Sequence, residues 1–221
     1  MKNQLKTHQV YFILYGFLFA IASIFILTND KTSLQLYLNE FHNPLTDFFF
    51  KYSTDLGDGL AIVIVSIILL FISKRMSMQV AFCGIMAGAI AQFLKKIVFG
   101  PTQRPSAYFN DLGIDLYYVN GVELHSAFSF PSGHSTAIFA MITALVMLQK
   151  TKKLDVLFIS IAVLVAYSRV YLSQHFLIDI YVGSIIGVVS ALLIYYLLHT
   201  PKLLAKKNLD NPLINFSTKK D

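Results

Sequence analysis

The chain has 221 residues, 56% of them hydrophobic and 14% charged, with a formal net charge of +6 and a mean hydropathy of +0.62. A soluble domain carries roughly 25% charged residues, so the composition excludes an ordinary water-soluble globule; the cations sit in short clusters between apolar runs, which fits topology signals and not a nucleic-acid-binding patch. The single cysteine, Cys83, cannot form an internal disulfide, and no Cys/His cluster offers a metal site.

A helix that crosses a bilayer needs about 20 apolar residues, within a range of about 17–25. Six runs approach that length, at 10–27, 59–73, 79–99, 132–148, 154–171 and 177–199. They predict an all-α fold: a polytopic membrane helix bundle with six transmembrane helices filling 10–199. A cytoplasmic N-terminal segment, 1–9, precedes it, and a basic cytoplasmic tail, 200–221, follows. The first run begins after Lys2 and Lys6 and contains Ala20-Ile21-Ala22, features shared with secretory signal peptides. A signal core spans roughly 7–15 apolar residues, whereas this run continues to Leu27, so it reads as an uncleaved anchor.

Between the first two runs, Asn43 is placed to cap a helix that has Pro44 at its first position. Phe48, Phe49 and Phe50 against Asp47 and Lys51 make that helix amphipathic, and it reads as a packing element lying in the interface rather than a lipid guide. Asp58 is a cap for the second run. The loop 106–131 carries Tyr108, Phe109, Tyr117, Tyr118, Phe128 and Phe130 and no Lys or Arg. It borders two of the charged clusters described below, so it is placed to shape substrate access. His125 within it reads as a surface histidine, and His8, His42 and His199 lie outside any cluster.

With six spans, both termini share a side. That side holds Lys2, Lys6, Lys74, Arg75, Lys150, Lys152, Lys153, Lys202, Lys206, Lys207, Lys219 and Lys220. The other holds only Lys31, Lys51, Lys95, Lys96, Arg104 and Arg169. Because positive loops stay inside, the termini are expected to be cytoplasmic and the motif ends of the helices to face outward.

Those motif ends carry the chemistry. Pro131-Ser132-Gly133-His134 opens the fourth run. Ser132 suits a helix cap, the first turn leaves backbone N–H groups free, and the dipole adds positive potential, so an ordinary helix start here is also an anion site. Gly133 lets an anion approach the backbone closely. His175 and Asp179 are spaced i, i+4, which brings them to one face if both are helical. An ionisable group such as Asp179 among Phe176, Leu177, Ile178 and Ile180 is costly unless partnered. Its carboxylate can hold Nδ1–H of His175 and leave Nε2 as nucleophile or base. Arg169 offers a planar fork for phosphate oxygens. Lys95 and Lys96 end the third run, where a lysine can also serve as an anchor, and Arg104-Pro105 follows.

Together these pieces resemble the type 2 phosphatidic acid phosphatase superfamily, which includes membrane lipid phosphatases, bacterial acid phosphatases and vanadium haloperoxidases. The family's PSGH motif is present at 131–134. Its SRxxxxxHxxxD motif runs from Ser168-Arg169 through His175 to Asp179. Its KxxxxxxRP motif is approximated by Lys96 to Arg104-Pro105, with seven residues between Lys and Arg instead of six. The resemblance covers about residues 55–195 and fits the membrane branch. It implies that His175 attacks phosphorus to form a phosphohistidine, Asp179 orients it, and His134 protonates the leaving group and then activates water. It implies that Lys96, Arg104, Ser132, Gly133 and Arg169 bind phosphate, without metal or cofactor. The implied partners are a lipid phosphate and membrane lipids, in the inner membrane of a bacterium. Candidate substrates are undecaprenyl diphosphate, phosphatidylglycerophosphate, phosphatidate and lipid A phosphate. A phosphotransferase using the same site is the alternative. A non-catalytic lipid-binding or transport protein fits less well, because His134, His175 and Asp179 are all present.

Overall fold

The computed structural model describes residues 1–199 and 209–213, and most of the expected tail lies outside them. The described residues form helices and no strand. In chain order they are α1 (Lys2–Thr7), α2 (Gln9–Thr28), α3 (Lys31–Asn39), α4 (Pro44–Ser53), a 3₁₀ turn (Thr54–Gly57) and α5 (Gly59–Leu70). Next come α6 (Lys74–Phe93), which runs on into a π-helical turn (Leu94–Val98), and α7 (Pro105–Asp111). The last are α8 (Gly133–Leu148), α9 (Asp155–Tyr171), preceded by a 3₁₀ turn (Lys152–Leu154), and α10 (Leu177–His199).

Local chemistry sets the helix starts. Asn43 accepts from the N–H groups of Leu45 and Thr46 with Pro44 at the first position, and Asp58 accepts from Leu60 N–H. Ser132 accepts from Ser135 N–H at the start of α8. Each such cap satisfies donors that the first turn leaves unpaired.

Helix length and composition by themselves support four or five of the six expected spans. Among the described residues, four helices are long and apolar enough to cross a membrane: Gln9–Thr28, Lys74–Val98, Lys152–Tyr171 and Leu177–His199. Pro44–Gly57 and Gly59–Leu70, bent by 60°, make a fifth if they are one span. The second run ends early because Phe71 and Ile72 close back on Ile68 and Leu69 through i→i+3 bonds. The fourth run yields the 16-residue α8, about 24 Å long at 1.5 Å per residue against a hydrocarbon core of about 30 Å.

Although short, α8 is the centre of the bundle. It is buried on nearly every side and packs against α6, α9 and α10. The closest approach is to α10, through Gly183 and Gly187. A Cβ at Gly183 would lie 2.7 Å from the Ser132 carbonyl oxygen, and one at Gly187 2.6 Å from that of Thr136 and 2.7 Å from Ala140 N. Small residues four apart let two membrane helices meet at backbone distance. Leucine at Gly187 must therefore push α8 and α10 apart, and is expected to cost about 1–3 kcal/mol. A lower thermal midpoint for Gly187→Leu than for Gly88→Ala would show it, since a Cβ at Gly88 meets nothing within 4 Å.

The hairpin α3–α4 ties down the ends of other elements. Gln35 Nε2 donates to the Val170 carbonyl of α9. Asn39 exchanges two bonds with the Tyr117 backbone, at 3.0 and 2.8 Å. Asp47 accepts from Tyr117 OH, Tyr171 OH and His42 Nδ1. Lys51 donates to the Asn120 carbonyl. The hairpin thus clamps the loop 112–131 that borders the motifs, while Leu45, Phe48 and Phe49 stay exposed on its outer face. At the other end of the bundle, His8 lies 2.7 Å from Asp155, both fully buried, which fastens the chain start to α9. Residues 209–213 pack on the turn between α5 and α6 through Leu213 N–H to the Leu70 carbonyl and an Arg75–Asp210 ion pair of 2.6 Å.

Candidate active site

His175 and Asp179 meet, but not on one helix. His175 sits in the turn between α9 and α10, where its N–H and that of Gln174 both donate to the Arg169 carbonyl. Ser173, with φ 52°, bends the chain there. Asp179 is the third residue of α10, and its Oδ2 reaches back to Phe176 N–H at 3.0 Å, the carboxylate half of a capping box. The same oxygen accepts from His175 Nδ1 at 3.2 Å. Both residues are buried, at 1% and 2% exposure. Burial holds the His175 imidazolium well below the usual range, and Arg104, Arg169 and Lys95 add to the effect. The ring is therefore neutral near pH 7, as a nucleophile must be.

Around this pair stand three cations. Arg169, 7% exposed, donates from Nη1 to Thr54 Oγ1 at 2.8 Å, and its buried Nε has no hydrogen-bond partner among the described residues. Arg104 donates from Nε to the Ala127 carbonyl and from Nη1 to both the carbonyl and the side-chain Oε1 of Gln174. Among the described residues none accepts from its Nη2. The third cation is Lys95, 8% exposed and within electrostatic reach of Arg104, Asp179 and Arg169.

Lys96, expected from the spacing to Arg104, is exposed and not part of this cluster. The reason is the π turn, in which Phe99 N–H bonds the Leu94 carbonyl five residues back. A wider turn holds an extra residue and changes which side chain faces inward. Motif spacing alone could not give that phase.

Ser132 and Gly133 begin α8 beside the pair, and Ser132 N–H donates to the Asp179 carbonyl at 3.0 Å. A Cβ built on Gly133 meets nothing within 4 Å, so the space at this helix start is open. His134, one residue on, is half-buried, within electrostatic reach of His175, Arg169 and Arg104, and has no hydrogen-bond partner among the described residues. The structure therefore brings together His134, His175, Asp179, Arg104, Arg169, Ser132 and Gly133, with Lys95 in place of Lys96.

Two further side chains were not legible from the motifs. Gln174, 1% exposed, anchors Arg104 and also donates to the Glu123 carbonyl at 2.9 Å. Ser129, 1% exposed, donates to Asp179 Oδ2. Neither carried a signal in the sequence, because only packing shows that these two polar side chains are buried. His125 stays exposed, 4.0 Å from Glu123. A separate cleft of about 270 Å³ between α2, α3, α8, α9 and α10 is walled by Tyr15, Phe19, Phe139 and Tyr181. It is apolar and is lined by none of the motif's charged side chains, so it is not the phosphate site.

The cluster has the chemistry of an anion trap beside a nucleophile. Asp179 is the one buried carboxylate against three cations, while Asp55 and Asp58 lie exposed at its margin. Buried charge is costly unless neutralised, and a phosphate dianion would neutralise the excess.

Comparison with known proteins points the same way. The family model for the PAP2 superfamily matches residues 76–202. A lipid A 4'-phosphatase of Bacteroides thetaiotaomicron is 30% identical over 196 residues, 85% of this chain and 84% of that protein. A lipid A 1-phosphatase of Rhizobium etli is 29% identical over 154 residues, 61% of this chain and 63% of that protein. Among solved structures, the fold is similar to that of Aquifex aeolicus LpxE, with a TM-score of 0.64 at 24% identity over 74% of this chain and 93% of that one. It is also similar to the transmembrane PAP2-type phosphatidylglycerolphosphate phosphatase of Bacillus subtilis, with a TM-score of 0.55 at 23% identity over 86% of this chain and 94% of that one. With a family match over more than half its length and a relative aligned along most of it, the chain belongs to the PAP2 superfamily, among that superfamily's membrane phosphatases.

Proposed function

We propose that the protein removes a phosphate from a lipid at the outer face of a bacterial inner membrane, through a phosphohistidine on His175. The observation that carries this reading is the excess of positive charge from buried Lys95 and Arg169 and half-buried Arg104 around a buried, carboxylate-held histidine. In the first step Nε2 of His175 bonds to phosphorus and the P–O bond to the lipid breaks. The departing alkoxide takes a proton from His134, whose protonated form the negative charge of the bound phosphate favours. In the second step His134 accepts a proton from water, whose oxygen displaces His175 and releases inorganic phosphate. Transition states of this kind need in-line positioning and charge stabilisation more than covalent help from the protein. The three cations and the α8 start supply both, and Asp179 holds the imidazole.

The relatives' names favour a phosphate of lipid A as the substrate. In this reading α5 and α8 join the four longer helices as spans. The short α8 then starts below the outer membrane surface, where a lipid's phosphate meets its chains. Phosphate release from lipid A, phosphatidylglycerophosphate, phosphatidate and undecaprenyl diphosphate, measured with purified full-length protein in mixed micelles, tests the proposal. Release from lipid A above the others is expected, and no release from any lipid phosphate would overturn it.

Sidedness has its own expected result. The loops holding Lys74-Arg75 and Lys150 to Lys153 are basic, so the termini are cytoplasmic in this reading. In a Cys83→Ala background, Glu123→Cys should react with an impermeant thiol reagent added to intact cells or spheroplasts, and Lys152→Cys only after lysis. Both positions are exposed and Cys83 is fully buried. The opposite labelling pattern would put the site in the cytoplasm.

A further inference from the structure

We propose that Ser129 is a positioning residue of the His175–Asp179 dyad: its hydroxyl fixes the carboxylate and the imidazole in the one arrangement that leaves Nε2 of His175 free to attack. The proposal rests on reading His175 as the nucleophile.

Oδ2 of Asp179 is the meeting point of three donors. Ser129 Oγ donates to it, as do His175 Nδ1 at 3.2 Å and Phe176 N–H at 3.0 Å. Three donors on one oxygen leave the carboxylate little freedom to rotate. A hydroxyl also accepts, and Ser129 Oγ lies 3.4 Å from His175 Nδ1. With its hydrogen given to Asp179, the Ser129 hydroxyl presents a lone pair to Nδ1, so that edge of the ring faces the Asp179 carboxylate and the Ser129 oxygen, and the Ser129 backbone also bonds the ring. That surrounding favours the tautomer with hydrogen on Nδ1, which keeps the lone pair on Nε2.

Ser129 is itself held. It lies before the α8 start, and its N–H donates to the Thr102 carbonyl at 3.0 Å, while Phe130 N–H donates to Thr102 Oγ1 at 3.0 Å. Thr102 belongs to the segment between Lys95 and Arg104. Ser132 N–H then ties the same stretch to the Asp179 carbonyl. The segments carrying the first, second and third motifs thus meet at Ser129: Thr102 holds its backbone, and its hydroxyl reaches Asp179 and His175. Alanine there would fill the space but would take one donor from the carboxylate and one acceptor from the ring.

The test compares full-length wild type with Ser129→Ala, each also in an Asp179→Asn background. Ser129→Ala is expected to lower kcat roughly 10- to 100-fold, the loss that a small misplacement of a reacting group brings. KM and vanadate inhibition should stay within about threefold, because the phosphate-binding cations are untouched. In the Asp179→Asn background the further loss should be under about threefold, since residues acting as a unit are not additive. A kcat within that margin of wild type would overturn the proposal, and so would a loss that multiplies undiminished in the Asp179→Asn background. Spectra of ¹⁵N-histidine-labelled protein, with His175 assigned by its loss in His175→Gln, give a readout free of turnover. A single Nδ1–H tautomer in wild type and a mixture in Ser129→Ala is expected; an unchanged single tautomer overturns the proposal. If wild type hydrolyses no lipid phosphate, the functional reading falls, and the tautomer comparison still decides the role of Ser129.

Discussion

His175→Ala is expected to lower lipid phosphate hydrolysis by on the order of 10³-fold or more, which is at least about 4 kcal/mol of barrier. The loss should fall on kcat, because the cations that hold phosphate do not depend on the imidazole. The wild-type protein, quenched during turnover of a ³²P-labelled lipid, should carry label that is stable in alkali and labile in acid, and His175→Ala should carry none. Folding should survive. The ring is buried, but it is held by Asp179 and Ser129, which keep their bond to each other when the ring is gone, and the turn is fixed by its own backbone bonds to Arg169. His175→Gln fills more of the space and guards against a packing artefact. Near wild-type turnover in either variant would remove His175 from the mechanism. Equal label on His175→Ala would move the covalent step elsewhere.

The second large effect is expected at Arg169. Arg169→Ala should lose roughly 10²- to 10³-fold in turnover, the range for removing a group aimed at transition-state charge. It should weaken vanadate inhibition in parallel, because five-coordinate vanadate resembles the transferring phosphoryl group and uses the same fork. The fold should tolerate the change. Arg169 sits near Arg104 and Lys95, so its loss relieves like-charge repulsion, although Thr54 loses its donor. Because three side-chain cations neutralise the phosphate, turnover should persist in excess EDTA. Activity that collapses in EDTA and returns with Mg²⁺ would mean that a metal carries part of that charge.

Lys95 and Lys96 show where sequence pattern stops being sufficient. A helix turns about 100° per residue, so adjacent lysines point to different faces, and only the helix phase chooses between them. The π turn at Leu94–Val98 sets that phase, and a π turn depends on how α6 meets the rest of the bundle, not on a local residue signature. The same holds for His175. Its i, i+4 spacing to Asp179 implied a shared helix face, yet the two meet across a helix start, where the carboxylate also caps α10. Spacing was enough to expect the contact and not its geometry.

What the sequence by itself determined is local. Apolar runs of membrane length must become helices, because hydrocarbon leaves the backbone no other partner. Capping residues such as Asn43, Asp58 and Ser132 mark where those helices begin, and a carboxylate in an apolar stretch must find a donor. The tertiary structure alone decided what depends on distant segments meeting. It turned Lys95 inward, set Gln174 on Arg104, and brought Ser129 to Asp179 from 50 residues away. None of these has a sequence signature, since a hydrogen bond between remote side chains is fixed by packing. Here that packing is the approach of α10 to α8 through Gly183 and Gly187, close enough for Ser132 N–H to bond the Asp179 carbonyl.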